Sequence, residues 1–489
     1  MKLSAFILIA LLAIYGCDSG LKGNLNQNLP PTTGMAAKEI NRSDSSRFSS
    51  QIEISWWGDD PDGYVIGYEY SINDTTAFPW KFTTKNDSIF ILPIPSGEKY
   101  ANVKVMVRAV DNDHAHDPKG ASLVYPIKNT PPVVKMNKTE MPPDTLYDIS
   151  SFGWIATDLD GDANLSHIEV ALNDTTKWVS MPTDITFISL KAQKPDQNIT
   201  DCDVFQGRSY NKTSYIISGL HMNGHNKFYV RAVDNAGAYS KSDTVSWYTK
   251  RRTSDILFLN DYSGPYSATN AQFHLNALAQ AGITAVDTWN ISDGSTAGGQ
   301  KVTLSTAFPA VIDPTLIKTL ALWKHIYWMS NDMNRNITYA EEITRDFFAN
   351  SGTMFITMPS SSLEDNDPLF NFLPLDGVTP LPQNATDFLI SSRASAVPIA
   401  PFTGPDLGVV STMSSVFPLR PSSGSTALYS ADFLIRTLTG YEDYTGNEIV
   451  SVKSKEGNII LFGLDMSDLN ENSNIGQLIK RMCVDELGF

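Results

Sequence analysis

The residues that could do chemistry stand late in the chain. Ser360 lies in the turn Met358-Pro359-Ser360-Ser361-Ser362, directly after the apolar run 353–358. A serine hydroxyl is a weak nucleophile without an adjacent base, and near neutral pH that base is most often histidine. The seven histidines stand at 114, 116, 167, 221, 225, 274 and 325, so none follows Ser360. Only His274 or His325 could approach it through the fold, with Asp465 and Asp468 as late acids. Other polar residues close apolar runs: Asn260, Asp261, Ser330, Asn331 and Asp332. Together with Ser360 they are candidates for a small-ligand pocket, because ligands of open α/β sheets sit beyond the carboxyl ends of the strands. Ordinary loop polarity accounts for the same residues. Upstream, Asp158, Asp160, Asp162 and Asn164 alternate around Gly161, as oxygen ligands do when a tight loop wraps calcium. Glu169 holds the twelfth position of that loop, yet 167–172 (HIEVAL) reads as a strand where an EF-hand needs a helix. A solvated Asp-Gly turn is the simpler account, with calcium as the alternative.

The elements that must position the late residues alternate. DILFLND (255–261), ITAVDTW (283–289), HIYWMS (325–330) and TMFITM (353–358) read as buried strands. Residues 268–282, 314–323 and 338–352 read as helices between them, and NIGQLIKRMCVDEL (474–487) as a closing helix. NEIVSVKSKEGNIILFGLD (447–465) gives two further strands turning at Glu456-Gly457-Asn458. This alternation indicates a mostly parallel sheet with helices on both faces. There is no phosphate-binding glycine fingerprint. The order over 254–358 and 446–489 resembles the class I glutamine amidotransferase-like fold, a flavodoxin-like relative. That resemblance implies a nucleophile in a tight turn after a central strand, with a His and an acid late in the chain. The matching turn is 358–362, which has no Gly and no Cys, and no His follows it. The resemblance therefore implies a pseudo-enzyme with no catalytic residues, in which 363–445 is an insertion over the crevice.

The middle of the chain repeats itself. Trp56 matches Trp154, Asp62-Gly63 matches Asp160-Gly161 and Trp80 matches Trp178, each 98 residues on. VRAVDN at 107–112 recurs at 230–235, so the second copy carries about 25 extra residues, placed in 181–214 with Cys202. A self-match at this spacing signals tandem domains. Short runs of period two between Gly, Pro, Asn and Asp clusters indicate β-sandwiches. The strand Trp, the Tyr68-Glu69-Tyr70 segment and the VRAVDN strand resemble fibronectin type III or immunoglobulin-like modules. Trp56 is expected in the core, as its counterpart Trp154 occupies the same strand position. Trp57 and Trp80 are candidates for stacking on sugar rings. Asn129-Thr130-Pro131-Pro132 makes a stiff junction, because paired prolines favour extended backbone.

The first residues say where the chain resides. Lys2, an apolar run from Leu3 to Tyr15, and a small residue before Cys17 mark a secretory signal. The run is too short for a spanning helix, which needs roughly 20 apolar residues. Ile14-Tyr15-Gly16-Cys17 resembles the bacterial lipobox, which implies cleavage before Cys17 and acylation (palmitate) of that residue. Stable anchoring takes more than one acyl chain, which a triacylated cysteine supplies. The domain plan is thus a signal peptide (1–16), a flexible tether (17–47), β-sandwiches at 48–128 and 129–250, and an α/β flavodoxin-like domain at 254–489. A net charge of −16 over 489 residues excludes nucleic acid as a partner. Only Cys17, Cys202 and Cys483 occur, so no disulfide framework or structural zinc site is expected.

These features predict a lipid-anchored cell-envelope protein, exported, at the outer rather than the inner membrane. Its role is non-catalytic binding or assembly, with an envelope protein or glycan as partner and no cofactor apart from the calcium alternative. A surface hydrolase and a carbohydrate-binding accessory protein are the competing readings. Replacing Cys17 (Cys17→Ser) is expected to move the protein from the membrane pellet to the soluble fraction. Retention of the variant in the pellet, read by immunoblot, contradicts the anchor.

Overall fold

The computed structural model describes residues 27–38, 48–291, 312–469 and 474–489. The signal segment, Cys17 and much of the 17–47 segment lie outside the described residues. The described residues form two compact units. One draws on Met1–Pro132, Thr157–Ser166 and Val233–Tyr239, the other on Val133–Ala156, His167–Ala232 and Ser240–Phe489. No helix among the described residues is long and apolar enough to cross a membrane.

In the first unit a three-stranded sheet (Thr32–Lys38, Gln51–Asp59, Asp87–Ile91) accompanies a five-stranded one. The latter orders Phe48–Ser49, Ala121–Lys128, Tyr100–Asp111, Val65–Ile72 and Lys81–Thr83. Period-two alternation fills the space between them: Ile52, Ile54 and Trp56 point inward and pack with Phe90, Val103, Val105, Val107 and Ile127. The Trp56 indole N–H donates to the Lys85 carbonyl at 2.9 Å. Its neighbour Trp57 faces the other way and is 57 % exposed.

The tether expected at 17–47 is corrected here, because Thr32–Lys38 is a strand antiparallel to Gln51–Asp59. Met35 and Ala37 pack on the core, which offsets the cost of ordering the segment. Its lead-in is pinned as well: the Asn28 amide donates to Asp111 at 2.7 Å and the Leu29 N–H donates to Asp62 at 3.0 Å. The second repeat is entered the same way. The Asn129 amide donates to Asp234 at 2.6 Å and the Thr130 N–H to Asp160 at 2.6 Å. Ser50 adds its hydroxyl to Asp160, and the Gly97 N–H donates to the Asn235 carbonyl at 2.9 Å. The acidic turn at 157–166 therefore packs with the first sandwich, across the boundary expected at 128/129.

The second repeat pairs Thr145–Leu146, Asp243–Thr249, Gly224–Asp234, Leu165–Leu172 and Val179–Met181 in one sheet. The other sheet holds Asn211–His221, Ile199–Gln206, Phe187–Ala192, Ile149–Thr157 and Val133–Met136. The extra residues of this copy thus supply sheet strands, and Cys202 is a buried free thiol within them. Trp154 is buried like Trp56. Arg108 covers Trp80 at 4.4 Å and Arg231 covers Trp178 at 4.1 Å, each guanidinium also pairing with a glutamate, Glu69 or Glu169.

The C-terminal region is built on a nine-stranded sheet. Its parallel part comprises, in chain order, Ile256–Asp261, Asp287–Asn290, His325–Ser330, Thr353–Thr357 and Ile459–Phe462. Side by side they run second, first, third, fourth, fifth. Ile449–Lys453, Thr426–Ala431, Ser395–Pro398 and Leu407–Gly408 then extend the sheet in antiparallel fashion. So the 363–445 segment is in part a continuation of the sheet rather than only a cover. At the opposite edge, the Thr288 carbonyl accepts from the Tyr147 hydroxyl at 2.9 Å and from the Lys250 ammonium at 3.0 Å.

Each expected helix has a counterpart, but some are shorter or broken: the one expected over 314–323 spans Pro314–Leu320. Ser267–Gln280 forms as expected and stops before Gly282, whose φ of 91° suits glycine. The helix expected over 338–352 is broken into Asn336–Tyr339, Ala340–Ile343 and Arg345–Ala349. At the break the Ala340 carbonyl accepts both the Thr344 N–H at 3.0 Å and the Thr344 hydroxyl at 2.5 Å, a back-bond of the kind that bends helices. The closing helix is α-helical over Ile475–Ile479 and widens to a π-helix over Lys480–Glu486.

Truncating Trp56 to alanine is expected to cost roughly 3–5 kcal/mol, read as a lowered denaturant midpoint. The same truncation at the adjacent Trp57 is expected to cost under about 1 kcal/mol. Equal losses would contradict the inward assignment.

Candidate functional site

Parallel strands deliver their carboxyl ends to one edge of the sheet, and Asn260, Asp261, Ser330 and Ser360 stand at that edge. The structure shows what their polar atoms do. The Asn260 amide donates to the Ser267 hydroxyl at 3.1 Å, and its oxygen accepts the Tyr262 N–H at 3.1 Å. The Asn331 oxygen accepts from the Ser263 N–H at 2.9 Å while its amide donates to the Ser263 carbonyl at 3.1 Å. The Ser330 hydroxyl donates to the Asp332 carbonyl at 3.2 Å, and Asp332 accepts the Asn334 N–H at 2.9 Å. These groups stitch the loops after the first and third parallel strands to each other and to themselves.

Ser360 is equally occupied. Its hydroxyl donates to the Phe417 carbonyl at 2.5 Å and accepts the Phe417 N–H at 3.1 Å. Its own N–H donates to the Gly463 carbonyl at 2.9 Å, and the residue is buried. The insertion thus lies directly on the position where a nucleophile would stand.

Neither imidazole reaches it. The His274 Nδ1 shares a hydrogen bond of 2.7 Å with the Tyr327 hydroxyl inside the core. Burial pushes its pKa down to about 4 against the pull of Asp465, so the ring is neutral near pH 7. His325 begins its strand, at the edge of the sheet opposite to Ser360. Its Nδ1 meets the Thr353 hydroxyl at 2.7 Å, and that hydroxyl donates to the Leu487 carbonyl at 2.9 Å. The threonine proton is already spent, so the imidazole donates to it rather than deprotonating it. Asp465 accepts the Ser467 N–H at 2.9 Å and its hydroxyl at 2.7 Å, which closes a turn. Cys483 is buried, and burial pushes its thiol well up.

Asp261 is the unusual group. It is fully buried beside Asn336, whose amide donates at 2.8 Å, the Trp328 indole N–H at 3.4 Å and Arg335 at 3.7 Å. Burial nevertheless pushes its carboxyl up to about 7. Asn336 and Arg335 carried no sequence signal, because they lie some 75 residues from the group they serve.

In the acidic turn, where calcium is the alternative reading, the carboxylates accept hydrogen bonds from the chain. Asp158 accepts the Asp160 N–H at 2.7 Å, Asp162 accepts the Asp158 N–H at 3.1 Å, and Asn164 donates to Asp158 at 3.4 Å. Asp160 accepts from Thr130 and Ser50, and Glu169 pairs with Arg231 at 2.6 Å. Among the described residues no group of three or more His, Cys, Asp or Glu is arranged to hold a metal. Burial and the neighbouring Asp160 and Asp234 push Asp158 up to about 6.

No protein-family model matches the chain, and no curated protein matches it. Solved structures similar to parts of it include the Clostridium thermocellum CbhA fibronectin(III)-like modules, at 16% identity over 44% of this chain and 94% of that one, TM-score 0.17. A two-domain fibronectin type III segment of chicken tenascin is similar at 10% identity over 46% of this chain and all of that one, TM-score 0.21. The chicken CNTN1 FN1-FN3 domains are similar at 10% identity over 85% of this chain and 96% of that one, TM-score 0.22. At these scores the likeness adds nothing to what the sheets themselves show, which is tandem β-sandwiches.

Asp261 gives a pH prediction. A carboxyl whose folded pKa exceeds its unfolded value binds its proton more tightly when folded. Its contribution is fully present below about 4 and is lost as the pH rises through 7. Relative to an Asp261→Asn variant, the wild type should lose roughly 4 kcal/mol of stability over that window. Denaturant titrations of both proteins across pH check this, and parallel pH profiles would refute it.

Proposed function

We propose that this chain is a lipid-anchored cell-envelope protein whose tandem β-sandwiches carry a catalytically silent flavodoxin-like domain, a degenerate relative of the glutamine amidotransferases. The domain serves binding or assembly. The parallel order second, first, third, fourth, fifth supports the flavodoxin-like assignment, since it is the order of that doubly wound class. The Ser360 turn after the fourth strand supports the amidotransferase kinship.

One observation carries the non-catalytic reading: the Ser360 hydroxyl is buried and gives its proton to the Phe417 carbonyl. A nucleophile must instead present its oxygen to substrate and its proton to a base. The signal and lipobox pattern supports anchoring through Cys17. An envelope protein or glycan is the partner class that this placement favours.

Ser360→Ala should leave hydrolysis of ester, amide and glycoside reporter substrates at the wild-type background. It should lower stability by about 1–3 kcal/mol, because the Phe417 N–H and carbonyl lose their partner. A hydrolytic activity present in the wild type and lost in the variant would overturn the reading.

A further inference from the structure

We propose that the first sandwich carries a saccharide-binding site, formed by Phe78 and Tyr100 together with the amide of Asn73. The site lies where the strand Val65–Ile72 stops and Tyr100–Asp111 begins. A cavity of about 490 Å³ opens there, lined among others by Asn73, Phe78, Pro95, Glu98, Tyr100 and Asn102. Phe78 is 40 % and Tyr100 58 % exposed.

The second repeat serves as an internal control on what the fold itself requires. Asn73 and Asn173 occupy the same left-handed turn, with φ of 59° and 60°. Each accepts a backbone N–H from the adjoining strand, Lys104 at 3.1 Å and Lys227 at 2.7 Å. The Asn173 amide then donates to the Gly219 carbonyl and to Asn226, both at 2.8 Å. The Asn73 amide has no protein acceptor among the described residues, and it lines the cavity instead. Phe78 falls in Ala77-Phe78-Pro79, which the second repeat replaces with Lys177 alone. Four residues before Lys104 stands Tyr100, and four before Lys227 stands Asn223. The sandwich therefore folds without either ring and with its asparagine amide satisfied. The rings and the open amide belong to this cavity rather than to the fold.

The lining selects a chemical class. Glu98 is its single charged residue, so nothing there neutralises an anion. Ligand sites combine apolar walls with a few placed polar groups, and aromatic faces supply large apolar area. A pyranose ring matches both, offering a C–H face to the rings and hydroxyls to Asn73 and Glu98. A proline-rich peptide advances about 3.1 Å per residue and requires a row of such pockets, whereas one basin suits one sugar ring. This assignment goes beyond the proposed function and depends neither on Cys17 nor on Ser360.

The test uses the full chain with cellotetraose, maltotetraose and chitotriose as probes, by saturation-transfer NMR and calorimetry at millimolar ligand. At least one probe is expected to bind. Tyr100→Ala and Phe78→Ala should each weaken it about ten-fold, a loss of about 1.4 kcal/mol. Asn73→Asp, which keeps the oxygen that accepts from Lys104, should weaken it several-fold. Tyr239→Ala, at an exposed ring of the second repeat, should leave it unchanged. Both aromatic truncations are at exposed positions, so unchanged melting curves verify that the variants fold. Absence of binding to all three sugars, or binding indifferent to Tyr100→Ala, overturns the assignment. So does a polyproline peptide that binds in a Tyr100-dependent manner when no sugar does.

Discussion

A carboxylate buried at the end of a strand needs hydrogen-bond donors, and here the segment entering each sandwich supplies them. Asp111 and Asp234 are both buried, and each accepts an N–H from four residues on, Ala115 or Ala238, at 2.8 Å. The second oxygen accepts from Asn28 or Asn129. Losing such a donor leaves a buried acceptor unsatisfied, which costs more than the bond itself contributes. The entry path is therefore fixed, and the strand Thr32–Lys38 can pair with Gln51–Asp59 in a single register. At the second entry the same constraint gathers Ser50, Thr130 and Asp160.

The α/β domain applies a similar economy at its carboxyl edge. In an active site of this architecture the polar groups beyond the strands are turned toward a ligand. Here Asn260, Ser330, Asn331 and Ser360 are turned toward neighbouring backbone. Satisfied networks of this kind rigidify loops. His274 and Tyr327 complete each other in the core, and the late acids close turns.

Period-two runs and the Trp56/Trp154 match made the sandwiches legible, because each inward residue meets a core that the sequence pattern already implies. Continuous apolar runs made the parallel strands legible for the same reason. The strand Thr32–Lys38 was not, since Gly34, Ala36 and Ala37 dilute the strand signal of its two threonines and its partner lies across a gap in sequence. Its trace was the entry motif itself: Asn-Leu-Pro-Pro at 28–31 prefigures Asn-Thr-Pro-Pro at 129–132. The helix expected through Thr344 is interrupted where the threonine hydroxyl joins its own N–H on the Ala340 carbonyl, a back-bond that bends helices and that spacing alone does not show. The acidic turn has the spacing of a cation loop, but the neighbouring chain supplies donors to it that spacing alone does not reveal. The strand ends were located correctly, while the direction of each hydroxyl and amide depends on residues far along the chain, as Phe417 does for Ser360.

The nine-stranded sheet ends in two quite different borders. One is Leu407–Gly408, a strand of two residues; the other is Asp287–Asn290, where Tyr147 and Lys250 occupy the Thr288 carbonyl. Exposed rows of unpaired backbone groups are templates for joining another chain. A two-residue strand at one border and the occupied Thr288 carbonyl at the other leave a second chain few backbone groups to pair with, which disfavours edge-to-edge aggregation.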